Sequence, residues 1–503
     1  MRQQLRTPES TKTDTDFMPM IPLSRMHAAV LAALALAMSG CAVGPVYQTP
    51  SSPASPVYKE AEGFVVAAPA DTLEKGPWWQ LFGDPVLNEL AEQVEVSNQN
   101  LAVAVANYAQ ARAIVAQQRA TLFPTVNLTS GADRSGSRGG NATVDSNGNV
   151  RTGGGVSNSY QLNIGASWEP DIWGRLRAGV TGAEATAQAS AADLAAARLS
   201  TQGELAANYF SLRELDAEID IVASTIEGYE RVRQITSNRF EAGIVAKSDV
   251  LQAETQLASA RDTALGLQLQ RQQLEHAIAV LVGKAPSTFT LAKAEWRQAV
   301  PDVPTGIPST LLQRRPDIAA AERRVAAANE QIGIARAAYY PDISLSASYG
   351  TAGNVVSDLF RASTAAWSLG LSAAQTIFNA GATRAAVAGA EAAQQAAVAS
   401  YRQTVLTAFA DVENQLSSTR VLAQQQAVRK QQSDAANQVE AQFLNRYKAG
   451  QVGYTDVVTA QATALSARRS LVQVQADRQA TAVALIQSLG GGWHADGGAG
   501  GNR

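Results

Sequence analysis

The sequence predicts a mainly α-helical protein with a membrane β part: four β-strands in two hairpins, joined to long antiparallel α-hairpins. Three observations predict it. A turn-bearing stretch occurs twice, about 207 residues apart, a spacing that marks duplication of a large unit. Long runs place apolar residues at steps of three and four, as packed helices do. Four shorter segments alternate, with one face apolar and the other small, polar and uncharged, which suits strands between lipid and water.

The repeated stretch is Asn238-Arg239-Phe240-Glu241-Ala242-Gly243, continuing to Lys247-Ser248-Asp249. It returns as Asn445-Arg446-Tyr447-Lys448-Ala449-Gly450, continuing to Tyr454-Thr455-Asp456. Gly243 and Gly450 suit the left-handed position just past a helix, and Asp249 and Asp456 suit the N-cap of the next helix. Asp249 with Gln252 forms a capping-box variant. Each copy predicts a tight turn between antiparallel helices.

The helices follow from the spacing. Leu205, Tyr209, Leu212, Leu215, Ile219, Val222, Ile226 and Tyr229 form a seam within a helix predicted from about Arg175 to Arg239, followed by a return helix from Asp249 to Leu281. Val398, Tyr401, Val405, Phe409, Val412 and Leu416 mark the second seam, within about Arg384 to Arg446, with a return from Asp456 to Leu489. Roughly 65 residues at 1.5 Å rise make about 100 Å, far more than a bilayer requires. Upstream, Asp84-Pro85 predicts a helix start with proline in the first position, and a second helix covers Leu101 to Leu122. Arg314-Arg315-Pro316-Asp317 reads as another helix start rather than as an anion site.

The strands are the alternating segments. Val126 and Leu128 alternate with Asn127 and Thr129; Tyr160, Leu162, Ile164, Ala166 and Trp168 with Gln161, Asn163, Gly165 and Ser167. Ile343, Leu345, Ala347 and Tyr349, then Trp367, Leu369, Leu371 and Ala373, repeat the pattern against Ser and Gly. Tyr160, Trp168, Tyr349 and Trp367 are the candidates for an aromatic girdle at the membrane surface. Four strands cannot close a pore, since small closed barrels need about eight, so strands from several chains must combine.

Composition narrows the function. The chain has 503 residues, net charge −3 and pI 5.8, which argues against a nucleic-acid surface. His27, His276 and His494 are widely separated and Cys41 is the only cysteine, so a zinc site, an internal disulfide and cofactor chemistry find no support. Before Cys41, Arg25 precedes an apolar run from Ala28 to Met38, short enough for a signal peptide and too short for a span. Ser39-Gly40-Cys41 resembles a bacterial lipobox, with Met38 where Leu is usual, and predicts acylation of Cys41. Ala42 stands where Asp would resemble an inner-membrane retention signal, so the outer membrane is expected.

The predicted organisation is a signal peptide (1–40), an anchor and N-terminal helical segment (41–123), a β-hairpin (124–170), a long α-hairpin (171–283), an insert with a helix (284–340), a second β-hairpin (341–378), a second α-hairpin (379–489) and a Gly-rich tail (490–503).

Several motifs carry a family resemblance: Cys41-Ala42-Val43-Gly44-Pro45-Val46-Tyr47, Trp78-Trp79 with Phe82, Asp84-Pro85 and Leu87, Arg314-Arg315-Pro316-Asp317-Ile318, Tyr340-Pro341 and Gly490-Gly491-Gly492-Trp493. In this order they resemble the TolC-like outer-membrane factors, in the lipoprotein (OprM- or NodT-like) branch serving resistance–nodulation–division pumps; Val46 replaces the usual Asp. The resemblance implies a homotrimer with a twelve-stranded β-barrel continued by an α-helical barrel, docked to a periplasmic adaptor and an inner-membrane pump. It implies a passive, non-enzymatic efflux duct gated at the turns by Asp249 and Asp456. The tip arginine of some members is missing at Val245 and Val452, which leaves Lys247, Arg239 and Arg446 as candidate partners for the acids. The outer component of a type I protein exporter, or a structural coiled-coil lipoprotein, are the alternatives.

Overall fold

The computed structural model describes residues 43–51, 58–61, 77–136, 143–144, 150–151, 156–294, 296–303 and 315–491. The signal segment, Cys41, Arg314 and the tail beyond Gly491 lie outside them. In chain order the elements are α1 (Pro85–Ser97), α2 (Gln99–Ala120), β1 (Thr125–Gly136), β2 (Thr143–Val144), β3 (Val150–Arg151), β4 (Val156–Trp168), α3 (Arg175–Glu241), α4 (Lys247–Leu281), α5 (Pro316–Ala337), β5 (Asp342–Gly353), β6 (Ala365–Ala374), α6 (Ala382–Lys448) and α7 (Tyr454–Ser488). The chain divides into two compact units, one of strands and one of helices.

In the strand unit, β1, β4, β5 and β6 form one antiparallel sheet in that order. The register aligns the alternation across all four. Val126, Ala166, Ala347 and Leu369 share one row, and Leu128, Ile164, Tyr349 and Trp367 share the next row on the same face. On the other face hydroxyls meet: Ser344 with Ser372 at 2.7 Å, Ser348 with Ser368 at 2.8 Å and Thr125 with Ser167 at 2.8 Å. A one-residue slip would exchange the faces, so the pattern specifies the register. β1 and β6 each leave one edge unpaired within the sheet. Between β1 and β4 lies a short antiparallel ribbon, β2 with β3.

At the base of the sheet Trp168 donates its indole N–H to the Leu122 carbonyl (2.9 Å), and Trp173 donates to that of Pro341 (2.8 Å) while stacking on Tyr340. These contacts hold together the chain segments at one end of the sheet.

In the helical unit the predicted seams are buried: Leu205, Tyr209, Leu212, Val222 and Tyr229 on α3, and Tyr401, Val405, Val412 and Leu416 on α6. The main core joins the first seam to Trp78, Trp79, Phe82, Leu87, Leu90 and Val94, to Ile278 and Leu281 of α4, and to Val483, Leu485 and Ile486 of α7. Asp84 caps α1 through the N–H groups of Val86 and Leu87, and also accepts the Tyr209 hydroxyl at 2.7 Å. Pro316 opens α5. Arg315 before it bonds Asp317 (2.7 Å), Asp411 of α6 (3.2 Å) and the Ser488 carbonyl at the end of α7 (3.3 Å). That arginine therefore ties three helices together, beyond marking a helix start.

A buried charge network lies beside this core. Arg213, 1% exposed, covers the Tyr209 ring and donates to Asp216 (2.9 Å) and to the Ala292 carbonyl (3.0 Å). Arg271 of α4 donates to the other Asp216 oxygen (2.7 Å) and to the Leu291 carbonyl (2.7 Å). The network anchors the irregular segment after α4 to the long helices.

Beside this network on α3, Glu214 and Glu218 line an open groove of about 520 Å³ with Gln270 and Gln273 of α4 and Arg469 and Gln473 of α7. Arg469 pairs with Glu218 at 3.0 Å. Burial, helped by the charges of Glu218 and Asp477, pushes the Glu214 carboxyl up to about 7. A carboxyl whose pKa is raised on folding stabilises fully below its unfolded value, and that contribution is lost as pH rises through the folded one. The unfolding temperature should therefore fall between pH 5 and 8, and Glu214→Gln should flatten that fall. Parallel profiles for the two proteins in a circular-dichroism melt would contradict the assignment.

Candidate channel entrance at the paired turns

The turns are built by their glycines. Gly243 (φ 71°) and Gly450 (φ 75°) occupy the left-handed region, where a side chain would be strained. At the first turn the N–H of Ile244 bonds the Arg239 carbonyl (2.8 Å) and that of Gly243 bonds Phe240 (2.9 Å). At the second, Gln451 bonds Arg446 (2.9 Å) and Gly450 bonds Tyr447 (2.9 Å). Both are Schellman ends, which satisfy carbonyls the helix leaves free.

The helix starts differ from expectation. α4 begins at Lys247 after Ala246, and α7 at Tyr454 after Gly453. Asp249 and Asp456 are thus third residues of their helices, not N-caps. Asp456 still reaches back to accept the Gly453 N–H at 3.2 Å. The expected Asp249–Gln252 capping box does not form, because Asp249 sits inside the first turn; among the described residues its carboxylate receives the Ser248 hydroxyl alone, at 3.4 Å. A carboxylate in a first helical turn is favoured by the helix dipole; Asp249 is half-buried there and Asp456 exposed.

The candidate basic partners behave differently from expectation. Among the described residues no ion pair joins Asp249 or Asp456 to Lys247, Arg239 or Arg446 within the chain. Lys247 and Arg446 are exposed. Arg239 instead crosses from the first turn to the second: Nη1 donates to the Tyr447 carbonyl at 2.6 Å, and the guanidinium lies 4.7 Å from the Tyr447 ring centre. A helix C-terminus attracts a cation, and a ring face adds to the attraction.

Sequence reasoning missed what surrounds this bond. Tyr447 and Tyr454, 2% and 4% exposed, pack with Val232, Ala253 and Val457, so all four helix ends share one apolar cluster. The Tyr447 hydroxyl meets Thr236 at 3.1 Å. Burial raises the pKa of the Tyr454 phenol, with Tyr447, Tyr229 and Asp249 adding to the rise, so it stays neutral beside the acid. The signal was present as the aromatic shared by both copies, Phe240 and Tyr447.

In the strand unit, Trp168 is half-buried at the base of β4, with Tyr160 further along the same face. Tyr349 and Trp367 lie directly opposite each other on β5 and β6 and are exposed, at 55% and 78%. Among the described residues no cluster of His, Cys, Asp and Glu could hold a metal, and no helix is long and apolar enough to cross a membrane.

A sheet with one apolar face and one hydroxyl face, in a chain whose remainder is long helical hairpins, defines a membrane channel protein with a β part and a helical part. The chain belongs to the outer membrane efflux protein family, whose model matches residues 90–284 and 307–491. It is 32% identical over 440 residues to the pyoverdine export outer membrane protein OpmQ of Pseudomonas aeruginosa, covering 86% of this chain and 91% of that protein. It is 31% identical over 474 residues to the toluene efflux pump outer membrane protein TtgC of Pseudomonas putida, covering 92% and 95%. Among solved structures, the outer-membrane channel OprN superposes with a TM-score of 0.82 at 32% identity, over 90% of this chain and all of that one. The chain is thus an outer-membrane channel protein of an efflux system.

Proposed function

We propose that the protein is the passive exit duct of a tripartite pump of the resistance–nodulation–division type, working as a homotrimer without cofactor or chemistry of its own. The observation that carries this is the four-stranded sheet with two unpaired edges, β1 and β6. Threefold closure would pair each β1 with a neighbouring β6 and give twelve strands with no free edge. The apolar face supports a membrane span. On β5 it runs from Ile343 to Gly353, the partner of Tyr160; at ~3.4 Å per residue and ~40° tilt this is about 26 Å high, close to the ~25 Å band of such barrels. Tyr160, Trp168, Tyr349 and Trp367 then serve as membrane-surface and lipid-facing aromatics, and the hydroxyl face lines water.

Acyl chains on Cys41 would anchor the mature terminus in the outer membrane of a Gram-negative cell, each buried methylene contributing about 0.8 kcal/mol. A periplasmic adaptor and an inner-membrane pump would dock on the helical part. The paired turns form the periplasmic entrance. Six carboxylates, Asp249 and Asp456 from three chains, would ring a narrow axis, repel one another and hold cations.

The test is single-channel conductance of purified protein in planar bilayers. Wild type should conduct poorly, and Asp249→Ala with Asp456→Ala should raise conductance or relieve block by divalent cations. Conductance and block both equal to wild type would remove the gate from these residues.

A further inference from the structure

The loop between β5 and β6 folds back over the apolar face of the sheet, at the Gly353 end of β5. The Thr351 hydroxyl, on that face, donates to the Leu359 carbonyl at 2.9 Å. Gly353 lies on the same face, and a side chain there would collide with Asp358. Leu359 and Phe360 are thereby laid beside Leu128, Leu162, Ile164 and Tyr349, around an open groove of about 460 Å³. Phe360 is 83% exposed. An apolar loop so open is unfavourable in water and suited to acyl chains.

Positive charge begins just beyond the groove. Arg361 follows Phe360 and is 64% exposed, with one long contact to Asp358 at 3.4 Å. On β1, Arg134 shares the parity of Val126 and Leu128, so it belongs to the apolar face, opposite Asn158. It stands in the next row beyond Ala132, Tyr160 and Gly353, where the apolar band of β5 ends. Arg134 is exposed, and among the described residues no ion pair engages it. Asp133 belongs to the opposite face. The rim of the apolar side thus presents Arg134 and Arg361 beside apolar side chains.

We propose that this rim binds a phosphorylated glycolipid of the outer leaflet, of the lipid A type. One acyl chain lies in the groove against Leu162, Ile164 and Phe360, while Arg134 and Arg361 hold phosphates of the headgroup. The proposal rests on the reading above that the apolar face meets lipid. Charge selects the occupant, as basic pockets beside a bilayer select phosphorylated headgroups. A guanidinium meets phosphate through two parallel hydrogen bonds. β4 lies between β1 and β5, which sets those strands about 10 Å apart. A disaccharide with a phosphate at each end can reach both arginines across that gap, whereas a glycerophospholipid offers a single phosphate. The hydroxyl face takes no part, so the site recognises the surrounding membrane and not the cargo.

Native mass spectrometry of the detergent-solubilised protein, titrated with bisphosphorylated lipid A, tests the site. The mass reads the oligomer and the adducts read the bound lipid. Wild type should bind one lipid A per chain, with phosphatidylglycerol about tenfold weaker. Arg134→Glu with Arg361→Glu should lower the lipid A affinity by about tenfold or more, and the corresponding Lys pair should fall in between. Phe360→Ser should weaken binding of both lipids, and Gln161→Glu on the hydroxyl face should bind as wild type does. All these positions are on the surface or the wetted face, and heat-modifiable gel mobility reports the fold of each variant. Undiminished lipid A binding by the double Glu variant, or equal binding of phosphatidylglycerol by wild type, overturns the site. Loss of the oligomer on Phe360→Ser overturns it too, since a neighbouring chain would then cover the loop. An oligomer other than a trimer that binds lipid A with the same sensitivities supports the site and overturns the trimeric duct alone.

Discussion

Replacing Asp216 with alanine is expected to destabilise the protein by about 3–5 kcal/mol, the usual cost of leaving one member of a buried ion pair uncompensated. Arg213 is 1% exposed, and Asp216 is the carboxylate that meets both it and Arg271, at 2.9 and 2.7 Å. Without Asp216 the Arg213 guanidinium, 1% exposed, keeps the Ala292 carbonyl and the Tyr209 ring among the described residues. The double variant Arg213→Met with Asp216→Leu removes both charges and should cost much less, because replacing a buried pair by apolar groups of similar volume is often near neutral. Denaturant unfolding followed by helical circular dichroism measures both. Equal losses for the single and the double variant would show that the network's packing matters more than its charge.

The second large effect belongs to the sheet. Ile164 sits midway along the apolar face of β4, in the row of Leu128, Tyr349 and Trp367. Ile164→Arg should destabilise the folded membrane form by about 2–4 kcal/mol per chain, the range for a lipid-facing arginine at the bilayer midplane. Gln161→Lys, on the hydroxyl face of the same strand, should stay within about 0.5 kcal/mol, as substitutions on wetted surfaces do. Heat-modifiable gel mobility and urea titration in lipid vesicles read the folded fraction. The opposite ranking would exchange the lipid and water faces.

Much of this architecture is legible in the sequence, because the periods that reveal it are local. A step of three and four writes the helix seam from Leu205 to Tyr229, and a step of two writes the strand face from Tyr160 to Trp168. The duplicated Ala-Gly pairs locate both turns, since Gly243 and Gly450 must adopt a positive φ. Helix starts are less legible. Asp249 and Asp456 look like N-caps, yet Ala246 and Gly453 take that place and the acids fall inside the first turn. A carboxylate favours both positions, so local preference does not choose between them.

The chemistry of the turns was half legible. Acids and bases close together suggested ion pairs, but Arg239 meets a carbonyl and a ring instead. Its partner is about 207 residues away, and no local period reports a contact at that range. The Arg213–Asp216–Arg271 network was hidden for another reason: charged residues on a long helix read as a solvated face until neighbouring segments cover them.

The sequence by itself determined the class of this protein: two strand pairs with an apolar and a hydroxyl face, two long helical hairpins, and a turn written twice. Those features are set by side-chain period and by glycine stereochemistry, which act within a few residues. Only the tertiary structure decided that the two copies of the turn are used unequally. Packing four helix ends together can bury one aromatic of the pair and one arginine of the pair. Tyr447 and Arg239 take those places, while Phe240 and Arg446 stay exposed on the chain.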